Sequence, residues 1–183
     1  GVPDVSVDIN LPTLTSTVCQ VFELDEATAA AARIALDRKD AAALRSLESP
    51  VAELLGGLLA AAGPADRALA AFKQVDLPDA AKNDSLRLEE VVQHVREAMP
   101  NLALTVDPVE NRGFEYHTGL SFTLFAKDAR GSLGRGGRYL AGSENEPATG
   151  FTLFLDSIAR TAKPALTGHK VFLPFATPMK MGR

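Results

Sequence analysis

The chain has a single cysteine, Cys19, so it can form no internal disulfide and no cysteine-based zinc site. That usage predicts a reducing cytoplasm as the compartment, and Cys19 itself reads as a small buried apolar residue. His94, His117 and His169 are the three histidines, and they share no metal-ligand spacing. Positive charge is scarce too: 19 Lys and Arg stand against 23 Asp and Glu, giving a formal net charge of −4 and a pI near 5.4. This balance argues against a nucleic-acid partner, because neutralising phosphates requires a surplus of clustered cations. No apolar run approaches the roughly 20 residues a membrane helix needs; the most apolar window is Val51 to Ala62. Nothing resembles a signal peptide. There is no Gly-Lys-Ser/Thr phosphate loop, and Gly134 and Gly136 lead into a strand pattern, the wrong context for a dinucleotide fingerprint. Ser, His and Asp meet only by chance. No cofactor, metal or catalytic constellation is expected.

What is present begins with ordinary globular values: 183 residues, 46% hydrophobic and 23% charged, enough for one core of standard size. The chain opens on Gly1-Val2-Pro3 already heading into a strand and closes just after an apolar run, Val171 to Phe175. On that ground the sequence reads as a segment of a larger protein. Val5 to Ile9 alternates at period two and predicts a strand ended by Asn10 to Pro12. A helical stretch comes next, over about 25–82. Asp25 is placed to cap a helix from Glu26 to Asp37, Asp40 one reaching Leu47, and Ser49-Pro50 one over Val51 to Ala62 that Gly63 closes. Pro64 starts another to about Phe72. Asp84 or Ser85 is expected to cap Leu86 to Met99, whose apolar stripe is Leu88, Val91, Val92, Val95, Ala98 and Met99. His94 lies beside that stripe, as a surface histidine would. Ala103 to Asp107 predicts a strand, and from there the chain turns to β character, over about 103–163. Helices followed by antiparallel strands make an α+β pattern, a sheet with helices on one face.

One stretch, Asn111 to Asp156, carries most residues that packing alone does not account for. It holds Arg112-Gly113-Phe114-Glu115-Tyr116-His117-Thr118-Gly119, an apolar strand Leu120 to Ala126, a turn at Asp128 to Ser132, and Gly134-Arg135-Gly136-Gly137-Arg138-Tyr139. Three glycines in four residues are a poor recipe for an ordinary strand, since each forfeits packing and costs ordering entropy. They point to close backbone approach, by another strand or by a ligand. Arg112, Arg135 and Arg138 make this stretch a local exception to the acidic balance.

The pair Arg112 to His117 and Gly136-Gly137-Arg138-Tyr139 resembles the two histidine-recognition motifs of histidyl-tRNA synthetases, roughly Arg-Gly-Leu-Asp-Tyr-Tyr and Gly-Gly-Arg-Tyr-Asp. Ala148-Thr149-Gly150-Phe151 resembles the segment C-terminal to those motifs in the same fold. Among relatives, the wording Glu-Tyr-His-Thr-Gly and Gly-Arg-Gly-Gly-Arg-Tyr is most similar to the regulatory subunits of ATP phosphoribosyltransferase, synthetase-like paralogues of the first step of histidine biosynthesis. The resemblance implies a class II synthetase-like antiparallel sheet flanked by helices, with an inserted helical region, the chain being the C-terminal part of that domain. It implies a non-catalytic subunit that takes histidine as effector, forms a homodimer within a hetero-oligomer, and partners a short-form catalytic chain. A divergent histidyl-tRNA synthetase and an assembly subunit with an inactive pocket are the alternatives.

By the same resemblance, Arg112 pairs with the ligand carboxylate, Tyr139 sets its hydroxyl against the imidazole, and His117 replaces a tyrosine that does likewise. Glu115, Tyr116, Gly136 and Gly137 complete the implied histidine-binding set. Each has a plainer reading. Arg112 is otherwise a salt-bridged surface residue, Tyr139 a core tyrosine and His117 a satisfied core histidine. Arg138 then pairs with Glu115, and the glycines relieve a bulge. Where a synthetase carries a Glu-Arg whose arginine holds ATP, this chain has Asp156-Ser157, and serine has neither the guanidinium fork nor the charge for a triphosphate. Phe151, Leu153, Phe154 and Leu155 are expected to fill the strand where small residues would admit adenine.

Overall fold

The period-two pattern of Val5–Asn10 (β1) becomes an inner strand of a six-stranded sheet, the scaffold on which the candidate site residues His117, Gly136, Gly137 and Tyr139 are set. The computed structural model describes residues 1–47, 49–110 and 116–163. The other strands are Gly63–Pro64 (β2), Ala103–Asp107 (β3), His117–Ala126 (β4), Gly134–Ala141 (β5) and Glu146–Leu153 (β6). Their spatial order is β2-β3-β1-β4-β5-β6. All neighbours are antiparallel except β1 and β3, which run parallel. The parallel pair results from the long helical crossover between those two strands, a connection that a tight hairpin cannot make.

The crossover contains helices Leu14–Val21 (α1), Glu26–Asp37 (α2), Ala41–Arg45 (α3), Val51–Ala60 (α4), Ala65–Phe72 (α5) and Asp79–Ala98 (α6); Leu155–Thr161 (α7) comes after β6. Two expected caps form. Asp25 accepts from the Thr28 amide at 2.9 Å, and Asp40 accepts from the Ala42 and Ala43 amides at 3.0 and 2.9 Å. Other expectations need correction. Helix α1 was not singled out by the sequence pattern; it starts without any side-chain cap. Helix α6 begins at Asp79, so Asp84 and Ser85 lie inside it. Extended Pro78 fixes that start, and Lys82, 2.6 Å from Asp79, ties down the first turn. Of the predicted stripe only Leu88 and Val92 are buried, joined by Ala81; Val91 and Met99 remain 37% and 50% exposed. The predicted apolar run Val171 to Phe175 and His169 lie outside the described residues.

The strand alternation separates the sheet into two unlike faces. Val7, Ile9, Leu104 and Val106 face the helices and join a core of Leu14, Val18, Leu36, Leu44, Val51, Leu55, Leu58, Phe72 and Leu88. Helices α5 and α6 reach β3 and β4. They do not cover β5 and β6, where Leu140, Phe151 and Leu153 of the same face stay 45%, 67% and 41% exposed. The opposite face is polar.

Candidate ligand-binding site

Directly paired residues of neighbouring strands project to the same side, so register defines the polar face row by row. One row runs Asp107, Asn10, Ser121, Gly137, Gly150 across β3, β1, β4, β5 and β6. The next runs Thr105, Asp8, Thr123, Arg135, Thr152. On the other side of the first row His117 pairs with Tyr139, which pairs with Ala148. Between His117 and Ser121 the ladder slips, and this bulge brings His117 back over the row.

The glycines have a specific reason. A Cβ on Gly137 would strike the His117 ring, with Nε2 at 2.7 Å, and would sit 2.8 Å from the Leu120 carbonyl oxygen. A Cβ on Gly150 would lie 3.2 Å from the Tyr139 hydroxyl. The ring therefore lies down onto a floor that only glycine leaves open at Gly137, and the Tyr139 hydroxyl lies close over Gly150. Gly137 thus serves the histidine as well as the bulge, a combination the sequence left open.

Three of the implied site residues meet here. The Tyr116 ring is 4.0 Å from that of His117, centroid to centroid, and 6.1 Å from that of Tyr139 in an edge-on arrangement. His117 is buried, at 3% exposure, whereas Tyr116 is 57% exposed. Gly136 is turned to the other face, where a Cβ would meet Phe122 Cζ at 2.8 Å. Arg138 also belongs to that face, where a Cβ on Gly119 would lie 3.5 Å from its Cδ. Arg112 and Glu115 lie outside the described residues.

Residues that sequence reasoning passed over complete the face. Asp8 accepts from Thr105 Oγ1 at 2.5 Å and from Asn10 Nδ2 at 2.8 Å. Asp107 accepts from Lys39 Nζ at 2.6 Å and from the Val109 amide at 3.2 Å. Asn10 and Ser121 are each 1% exposed. The available signal was Ser121 and Thr123 alternating with large apolar residues between Leu120 and Leu124. Nothing local to Asn10, at a strand end, distinguished it from an ordinary turn residue.

The register of β6 divides its residues between the two faces. Ala148, Gly150 and Thr152 share the polar face, whereas Phe151 and Leu153 pair with Gly136 and Gly134 on the opposite one. Bulky residues of this strand therefore do not fill the polar face. Asp156 and Ser157 open α7, and Asp156 accepts from Arg160 at 2.6 Å, a bond that holds its carboxyl below the usual carboxylate range.

The family model described as histidyl-tRNA synthetase matches residues 1–158. The chain belongs to the histidyl-tRNA synthetase family. Within it, the chain is 48% identical over 182 residues to an ATP phosphoribosyltransferase regulatory subunit of Rhodospirillum centenum, covering 100% of this chain and 47% of that protein. It thus spans about half the length of such relatives. Two solved structures share the fold, each at 19% identity. One is described as an ATP phosphoribosyltransferase regulatory subunit/histidyl-tRNA synthetase from Bacillus halodurans, with a TM-score of 0.73 over 92% of this chain and 46% of that one. The other is an ATP phosphoribosyl transferase complex from Thermotoga maritima, with a TM-score of 0.65 over 83% and 54%. The class II synthetase-like α+β architecture expected from the sequence is the architecture present.

Proposed function

We propose that the protein containing this chain is a non-catalytic regulatory subunit of ATP phosphoribosyltransferase that binds histidine on the polar face and acts through a separate, short-form catalytic chain. The observation that carries this reading is the 48% identity, over the full length of the chain, to a protein of that name. The aromatic cluster of Tyr116, His117 and Tyr139 above Gly137 supports it as a place for an imidazole. Arg112 supplies the carboxylate partner by resemblance. Occupancy by histidine then biases the partner, and couplings of this kind are typically about 1–3 kcal/mol.

The absence of a Glu-Arg pair at Asp156-Ser157 favours this reading over a divergent synthetase, because no guanidinium stands there to hold a triphosphate. Phosphoribosyl transfer by the catalytic chain, measured with and without the full-length protein and with and without histidine, tests the proposal. Activity and inhibition identical in both cases reject it. Histidine-dependent ATP–pyrophosphate exchange by the full-length protein alone establishes the synthetase alternative instead. Calorimetry of Arg112→Ala should show histidine binding weakened by about 2–3 kcal/mol, the loss expected when a charge-assisted partner of a buried carboxylate is removed. Unchanged affinity removes Arg112 from the site.

A further inference from the structure

The helix-side face of the sheet is covered over β1, β3 and β4 and bare over β5 and β6. Register sets Phe122, Gly136 and Phe151 in one row of that face, and Leu124, Gly134 and Leu153 in the next. A Cβ on Gly136 would meet Phe122 Cζ at 2.8 Å, and one on Gly134 would meet Leu153 Cδ2 at 2.9 Å, so large side chains lie flat across the glycines of β5. The product is a smooth apolar floor, with Leu140 further along the same face, and Leu140, Phe151 and Leu153 are open to solvent. Helix α7 offers no cover, since none of its residues is buried. The outer edge of β6 has no strand partner among the described residues, an arrangement that invites pairing.

Between α6 and this floor runs a groove of about 430 Å³ whose walls include Arg87, Val91, Phe122, Arg138 and Thr149. It is continuous with the core, because Leu120, also in its lining, packs against the buried cluster. Two guanidinium groups stand there against one carboxylate, that of Glu90, and neither arginine has an ion-pair partner among the described residues. The groove therefore suits an apolar element that brings a negative charge. Open aromatic and aliphatic surface in line with a core is the mark of a permanent contact, since partners that come and go meet through more polar surfaces. A permanent candidate exists: this chain spans 47% of its relative from Rhodospirillum centenum, so such proteins contain about as much polypeptide again.

We infer that the bare half of this face, with its Arg87–Arg138 groove, is the interface for the rest of the same polypeptide, which lays an apolar helix across β5 and β6 and sets a carboxylate between the two arginines. A helix is required because a loop laid on a flat apolar floor would bury amides and carbonyls without partners. The inference goes beyond the regulatory reading and does not depend on it. It gives neighbouring residues of β5 separate tasks: Gly137 lies under the His117 ring on one face, and Arg138 meets the rest of the polypeptide on the other.

The test is thiol alkylation of the full-length protein carrying Leu140→Cys or Phe151→Cys, with Cys19 buried and slow to react. Each new thiol is expected to react at least about tenfold more slowly in the native protein than in urea. That protection should stay the same when the protein is diluted and when the catalytic chain is added. Native rates equal to those in urea show an open face and overturn the inference. Protection that grows with protein concentration assigns the face to a second copy, and protection that arises only with the catalytic chain assigns it to that partner; either result overturns the inference as well. If Phe151→Cys does not fold, Leu140→Cys decides. The charge is tested separately. Arg87→Glu and Arg138→Glu should each lower the melting temperature of the full-length protein by a few degrees relative to Arg130→Glu, at an exposed arginine between β4 and β5. Equal melting temperatures for the three variants overturn the placing of a carboxylate between the arginines.

Discussion

The two faces of the sheet are built from the same six strands, yet they obey opposite rules. On the helix side, large aliphatic residues interlock with α1, α4, α5 and α6, and side chains such as Leu55 and Leu58 have no exposed surface. On the other side the central row is Asp107, Asn10, Ser121, Gly137 and Gly150, small or polar at every position. Stability resides where burial is apolar and non-directional, and recognition resides where individual polar atoms are placed by strand register. The two separate because adjacent residues on a strand point to opposite sides, so one segment serves both purposes without compromise.

The contrast is broken most severely from the helix side. Leu58→Ala in α4 empties a fully buried position and should cost about 2–5 kcal/mol in denaturant unfolding, with histidine affinity unchanged while the protein stays folded. A parallel loss of affinity would mean that the helical layer also shapes the polar face. Gly137→Ala attacks from the other side. Its methyl meets the His117 ring and the Leu120 carbonyl, so overpacking should cost about 1–3 kcal/mol, and the displaced ring should abolish ligand binding altogether. Full stability together with full binding would show that the His117 ring moves aside freely.

Smaller effects sharpen the comparison. Lys39→Met removes the partly exposed ion pair to Asp107 at the edge of the polar row and should cost up to about 1 kcal/mol, less at high salt. The smallest effect lies at the start of α2, away from both faces. The bonds from the Thr28 amide and hydroxyl hold the Asp25 carboxyl below its ordinary range, so the folded state favours its ionised form. This contribution is complete above the ordinary carboxylate range and is lost as pH falls through that range toward the lowered folded value. Asp25→Asn keeps a capping oxygen but cannot titrate, and should flatten the acid arm of melting temperature against pH. An unchanged acid arm would assign the acid sensitivity elsewhere.

Much was legible without coordinates where the signal is local. Asp25 and Asp40 marked helix starts because a carboxylate one position before a helix satisfies amides that nothing else reaches. The alternation of Val5 to Ile9 and the strand Ala103 to Asp107 read directly. The start of α6 did not, since Asp84 and Ser85 imitate a cap that Pro78 and Asp79 in fact pre-empt. Helix α1 escaped because it has no side-chain cap, and the burial of Leu14 and Val18 in the core holds it instead. The facing of Phe151 and Leu153 was not legible, because bulk read along β6 does not reveal which side of the sheet each residue takes.

By itself the sequence determined the α+β class and the family, and it singled out Tyr116, His117, Gly137 and Tyr139 as candidates, because those depend on residue type and short spacing along the chain. Only the tertiary structure decided that Asn10 stands opposite Ser121, that the His117 ring lies on Gly137, and that Gly136 turns away. Those relations are set by strand register and by a bulge between His117 and Ser121, and register is fixed by contacts between segments far apart in sequence.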